Sequence, residues 1–350
     1  MDRRLILAVA GSGKTTYLIN ALDLDRRFLI VTYTDNNRSH IRRSIINKFG
    51  YVPKNITLLS YFQFLIRFCY RPFLKDIYRA KGIIWKMPED WTRYKKGFYH
   101  YMTYHRYLYH NRIAKLCMQQ CKDMIIARME KYYDCFMFDE VQDLGGHDFN
   151  LIQSIIPNHI DCLFVGDFYQ HTFDTSKDGN VNQNLYFDYG SYKRKWTAKG
   201  IVVDEVSLSN SYRCSPTVCD FVSQSLCIAI GSHRQDQTNI HFVDNQASAD
   251  ALFYDQSKVK LFFKDANKYN CLSENWGKSK GLDNFHDVCI VLNATTLKAY
   301  KKNTLSNLAA STLNKLYVAC TRAKGDIYLI PHLYLDQYNV KIRERYTCLH

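Results

Sequence analysis

Residues 5–20 read LILAVAGSGKTTYLIN, and the turn in the middle of this stretch decides the fold. Leu5 to Val9 predicts a short strand, apolar on both faces and therefore buried, and Lys14 to Leu22 predicts the helix that follows it. A glycine-rich turn between strand and helix is the setting a phosphate requires. Gly11 and Gly13 free the backbone to aim its amides at an anion, Lys14 brings a point charge to the outer phosphates, and Thr15 offers a hydroxyl to magnesium. Ala10, Gly11, Ser12, Gly13, Lys14, Thr15 and Thr16 are thus the candidate nucleotide-binding residues, with Ala8 where such loops usually begin on glycine.

Working outward, the same pattern recurs. RFLIVTYTDNNRSHIRRSI (27–45) and NITLLSYFQFLIRF (55–68) each run from an apolar strand into a polar turn and a helix. DCFMFDEVQD (134–143) is a further apolar strand that ends on Asp139 and Glu140. In a parallel sheet the carboxyl ends of the strands face the ligand, so two acids there suit a metal and a water better than they suit a solvated loop. DCLFVGDFYQHTF (161–173) ends likewise on Asp167 and Gln170, SLSNSYRCSPTV (207–218) sets Tyr212 and Arg213 before a helix, and NKLYVACTRAKGDIYLI (314–330) puts Arg322 at a helix end before a strand. Strands alternating with helices throughout predict an open α/β fold.

Composition narrows the function. The chain has 350 residues, 47% of them hydrophobic, enough for two domains with real cores. Its formal net charge of +14 favours a polyanionic partner, because neutralising phosphates releases condensed counterions. Twelve cysteines without paired close spacing read as reduced thiols and not as a zinc site or a disulfide framework. No apolar run is long enough to span a bilayer, so no membrane partner is expected, and the chain reads as cytoplasmic or nucleoid-associated.

The ordered set of segments resembles a superfamily 1 DNA helicase of the UvrD/Rep type, in a compact form lacking most of the second accessory domain. AGSGKT is similar to motif I of that family, VTYTDNN to Ia, LLSYF to Ib, DEVQD to II, VGDFYQ to III, NSYR to IV, SKGLDNF to V and YVACTRAK to VI. The resemblance implies two RecA-like parallel-sheet domains, the first built from residues 1–63 and 135–205 with a helical, basic-aromatic insertion at 64–134, the second from 206–350. It implies ATP and magnesium as cofactors. Lys14 and Thr15 would hold phosphates and metal, with Asp139 completing the metal shell. Glu140 would take the proton of the attacking water, Gln170 would report the γ-phosphate, and Arg213 and Arg322 would act as arginine fingers. Tyr212 would stack on adenine and Asp283 would accept from ribose. Tyr33, Thr34, Ser60, Tyr61, Phe173 and Lys280 would line a track for single-stranded nucleic acid, DNA before RNA, with travel in the 3′ to 5′ sense.

The sequence also departs from that family. The glutamine motif that reads adenine upstream of the phosphate loop is missing, Thr175 stands where a base-stacking tryptophan is usual, and Gly277 replaces a histidine of motif V. The interval from Arg213 to Lys280 leaves room for little beyond the second motor domain. These departures support an alternative in which the chain is a nucleotide-gated regulatory ATPase that recruits a nuclease or replication factor, and a pared-down motor of this kind fits a virus or mobile element. In the insertion, RYKKGFYHYMTYHRYLYH (93–110) suits either stacking on bases or a satellite core. Ile113, Leu116, Met124 and Ile125 predict one packed helical face over 111–133. A phosphate-loop kinase or small GTPase would share the opening stretch alone.

Overall fold

In a computed structural model of the chain, residues 2–89, 92, 95–172 and 178–340 are described. They form two compact units, one of residues 1–7, 14–166 and 174–205, the other of residues 8–13, 167–173 and 206–350. Each unit is a RecA-like α/β unit around a parallel sheet. Among the described residues no helix is long and apolar enough to cross a membrane.

The first unit contains strands β1 (Arg3–Leu7), β2 (Phe28–Thr32), β3 (Ile56–Ser60), β4 (Cys135–Asp139), β5 (Asp161–Gly166) and β6 (Val202–Asp204). They lie in the order β3-β2-β4-β5-β1-β6, every pair parallel. Every residue of β2 and β4 is buried, as continuous apolar strands covered on both faces require. Register brings the strand ends level: Thr32 pairs with Asp139, Asp139 with Val165, and Leu7 with Gly166. The residues that follow β1, β2, β4 and β5 therefore leave from one edge of the sheet.

The insertion is mainly helical, with a small parallel ribbon of Gly82–Ile84 against Tyr107–Tyr109. It is tied to its unit by Arg112, which is 1% exposed. The guanidinium donates to both oxygens of Asp178 at 3.0 and 3.1 Å, to Thr92 Oγ1 at 2.9 Å and to the His100 carbonyl at 2.8 Å. Burial alone would raise the Asp178 carboxyl, but His147 and Arg112 hold it well below the usual carboxylate range. The single helical face expected over 111–133 is corrected: helices Ile113–Gln120 and Lys122–Tyr132 meet at Cys121, whose φ of −147° and ψ of 19° are not helical. This break resets the phase, so Ile113, Leu116 and Ile125 are buried while Met124 is 45% exposed.

The second unit contains β7 (Ile240–Phe242), β8 (Val259–Phe262), β9 (Ser273–Asn275), β10 (Val288–Leu292) and β11 (Ile327–Pro331), in the parallel order β7-β11-β10-β8-β9. One face packs Leu261, Ile290 and Leu329 with Trp276 and Tyr317; the other packs Phe262, Cys289 and Ile330 with Phe253. The interval after Arg213 is taken up by helices Pro216–Leu226 and Gln246–Tyr254 and strands β7 to β9 of this same unit. All eleven described cysteines are free thiols, nine of them buried.

Candidate nucleotide site

In the first unit, Lys14 and Thr15 open helix Lys14–Asn20 beyond the end of β1. Asp139 ends β4 and is 2% exposed. Strand β5 lies between β1 and β4, so the ends of β1 and β4 lie about 10 Å apart, from two strand spacings of roughly 4.8 Å. Glu140 then adopts φ 60° and ψ 46°, a left-handed conformation that costs a residue with a Cβ on the order of 1–2 kcal/mol. Its carboxylate accepts a hydrogen bond from the Gln142 side-chain amide. This bend packs against the end of β5, where a Cβ on Gly166 would come within 2.7 Å of Val141 Cγ2; glycine is needed there for close approach.

Among the described residues no three His, Cys, Asp or Glu side chains gather as a metal centre. The Thr15 hydroxyl, on helix Lys14–Asn20, and the buried Asp139 carboxylate are the oxygen donors expected for magnesium. Two hard oxygen ligands fit an ion that takes the rest of its shell from phosphate oxygens and water.

The second unit includes the turn Ala8–Gly13 and the turn that begins at Asp167. Within it, the Val9 amide donates to the Leu208 carbonyl at 3.0 Å, and the Tyr212 amide donates to the Gly11 carbonyl at 2.9 Å. The Ala10 amide donates to the Tyr317 hydroxyl at 2.9 Å, and that hydroxyl donates to Asp167 Oδ2 at 2.9 Å. Burial, and next the Asp167 carboxylate, push the Tyr317 hydroxyl well up from its ordinary value, so it stays protonated and can bridge the two. Asp167 also accepts from the Tyr169 amide at 3.1 Å, capping the short helical turn Phe168–Gln170 that holds Gln170 at 4% exposure.

Gly11 and Gly13 have φ of 70° and 86°, values that glycine adopts without penalty. At Gly11 there is also no room: a Cβ would lie 2.7 Å from Arg213 Cβ and 2.8 Å from Ser211 Oγ. Gly11→Ala is expected to weaken nucleotide binding tenfold or more and to destabilise the fold by about 1–3 kcal/mol, the usual cost of overpacking at a strained position. Calorimetric titration with magnesium ADP and a thermal melt measure the two effects. Unchanged values in both would contradict the packing described.

Arg213 Nη1 donates to the Thr321 carbonyl at 3.2 Å and Nη2 contacts Asp283 Oδ1. Asp283, expected to meet a ribose, is thus engaged with Arg213 in this structure. Arg322 is 2% exposed and donates from Nε to the Val318 carbonyl and from Nη1 to the Leu282 carbonyl, each at 3.3 Å. Burial, followed by the charge of Arg213, pushes its guanidinium down to about 10, which leaves it a cation at neutral pH. Tyr212 is 65% exposed and is no core residue. One face of its ring stacks on His233 with centroids 4.1 Å apart and planes 19° apart.

Sequence reasoning missed His233. Its stretch, GSHRQDQTNIHF, reads as an exposed connection, yet Gly231–Ser232 pairs in parallel with Asn210–Ser211 and so delivers the imidazole beside Tyr212. Two short runs far apart in sequence carry no periodic signal of such pairing.

The residues expected along a nucleic-acid track are placed unevenly. Thr34 caps helix Asp35–Phe49, accepting from the Asn37 amide at 3.1 Å. Tyr33 stacks on Tyr61 at 5.7 Å. Ser60 and Tyr61 are interior, each 4% exposed, and offer no surface to a strand in this structure. Lys280 follows the turn Trp276–Ser279 and is half-buried. At Gly277 a Cβ would lie 3.2 Å from Thr172 Cβ, a tight contact. Phe173 and Thr175 lie outside the described residues.

No protein-family model and no curated protein matches the chain. Solved structures do. An arterivirus nonstructural protein 10 helicase in complex with DNA is similar at a TM-score of 0.50 and 15% identity, over 93% of this chain and 60% of that one. The same helicase crystallised without that complex gives a TM-score of 0.48 at 15% identity, over 93% and 59%. The PRRSV helicase gives a TM-score of 0.48 at 14% identity, over 95% and 53%. The chain spans at most 60% of the length of these helicases. At such identities the likeness is one of fold, that of α/β units built on parallel sheets.

Proposed function

We propose that this chain is an ATP-driven translocase or helicase of the superfamily 1, UvrD/Rep-like type, which hydrolyses magnesium ATP and travels along single-stranded nucleic acid, DNA before RNA, in the 3′ to 5′ sense. The observation that carries the reading is the placement of Tyr212 and Arg213 against the Gly11 turn, through the Tyr212 amide and the Arg213 Cβ. The residues that carry the exposed Tyr212 ring and the Arg213 guanidinium thus touch the turn that would receive phosphates. The fold shared with a helicase and the +14 charge support the same reading.

Bound magnesium would supply positive charge to offset that of the outer phosphates. The chain's own residues do the rest. Amides of Gly11 to Lys14 and the Lys14 ammonium would orient the triphosphate, and Thr15 and Asp139 would hold the metal. Glu140, fixed in its left-handed bend, would accept the proton of the attacking water. Arg213 and Arg322 would balance charge growing on the transferred group. Loss of that group would be felt at Gln170, whose capping residue Asp167 is linked through Tyr317 to the amide of Ala10.

Turnover of each of the four nucleoside triphosphates, with and without single strands of DNA and of RNA, tests this. The expected result is ATP turnover raised at least tenfold by single-stranded DNA and less by RNA. Turnover indifferent to both strands would overturn the translocase reading.

A further inference from the structure

The insertion carries an aromatic cluster that nucleotide chemistry does not use. Trp85 follows ribbon strand Gly82–Ile84 and His110 follows its partner Tyr107–Tyr109. Ile84 pairs with Tyr109, so the two rings leave the ribbon side by side, and His110 Nδ1 lies 3.3 Å from the Ile84 carbonyl. Phe62, one residue past the interior Tyr61, approaches the indole from the end of β3. The Phe62 and Trp85 centroids are 5.0 Å apart with planes at 37°, and those of Trp85 and His110 are 5.2 Å apart at 31°.

Two rings from distant segments, Phe62 and His110, flank the indole, yet Trp85 remains 64% exposed. A large apolar ring that keeps most of its surface open to water while flanked by two others is a poor core residue and a good stacking surface. The rest of the insertion separates the two roles its composition allowed: Tyr78 and Tyr101 are buried and form the satellite core, whereas the Trp85 platform faces water. Its setting is cationic. Lys86 is the next residue, and at the other end of the ribbon the Lys81 amide donates to the Arg106 carbonyl at 2.8 Å, which brings those two basic residues together.

We propose that Phe62, Trp85 and His110 form a base-stacking platform for single-stranded nucleic acid, with Trp85 as the ring that receives an unpaired base. The platform rests on the nucleic-acid reading above but is separable from it. It takes the strand-facing role that the buried Ser60 and Tyr61 cannot fill in this structure. Aromatic faces stack on any base, while nearby cations meet the backbone, so binding there would be tolerant of sequence.

The test compares binding of a labelled oligo(dT) of about 15 nucleotides, within the span such sites cover, with an abasic oligomer of equal length. The full chain should prefer the base-bearing strand. Trp85→Ala should weaken oligo(dT) binding about tenfold, leave abasic binding and strand-free ATP turnover unchanged, and so erase the preference; Trp85→Phe should restore most of it. In a second measurement on the unaltered protein, photocrosslinking with 5-iododeoxyuridine oligomers should map to Phe62, Trp85 or His110. Undiminished binding by Trp85→Ala, or crosslinks confined to other segments, would overturn the platform while leaving the motor reading intact. Failure of the unaltered chain to bind either oligomer would overturn both.

Discussion

Glu140→Gln is expected to lower strand-stimulated ATP turnover by a factor on the order of 10² to 10⁴, the range for losing a positioned general base, while nucleotide affinity stays within about twofold. The substitution is nearly isosteric. It keeps the left-handed bend at φ 60° and leaves an oxygen to accept from the Gln142 amide. What it removes is the carboxylate that can take a proton. Phosphate release with and without single-stranded DNA, together with equilibrium binding of magnesium ATP, reads the two effects separately. Near-normal turnover would remove Glu140 from the role of base. Equal losses of binding and turnover would indicate that the bend had collapsed.

Arg213→Ala is expected to cost turnover on the order of 10³-fold or more, as the loss of an arginine finger does, with much less effect on ATP binding. Its guanidinium already contacts Asp283 and the Thr321 carbonyl, and its Cβ lies against the Gly11 turn, so truncation at Cβ leaves the turn's packing in place. The rate should fall in single-turnover measurements at saturating ATP, which isolates chemistry from binding. Lysine at this position should recover little, because a point charge cannot reproduce the planar fork. Arg322 is a harsher subject. Fully buried and bonded to two carbonyls, its removal would disturb the second unit as well as the reaction.

The sequence made the α/β fold legible because its strands are buried on both faces. FLIVT and CFMFD are continuous apolar runs ended by polar turns, and their boundaries can be read to within a residue or two. Motif residues at strand ends were legible for the same reason, since register in a parallel sheet carries Asp139 and Gly166 to one edge. Most of the gaps are cases of side-chain placement. Tyr61 and Phe62 are adjacent aromatic residues in one motif, yet one ring turns inward onto Tyr33 and the other outward onto Trp85, and no periodic pattern distinguishes them in so short a turn. The break at Cys121 came without glycine or proline to announce it. Neither the stack of His233 on Tyr212 nor the bond from Ala10 to Tyr317 leaves any local trace, because each joins residues from distant stretches of the chain.

The most direct test of the proposed nucleotide chemistry is a structure of the chain with magnesium, ADP and aluminium fluoride on oligo(dT). The account predicts the diphosphate on the Gly11 to Thr15 backbone, magnesium on Thr15 and Asp139, and Arg213 parted from Asp283 with its guanidinium on the fluoride. A bound nucleotide that leaves Arg213 paired with Asp283, or one lodged away from the Gly11 turn, would contradict it.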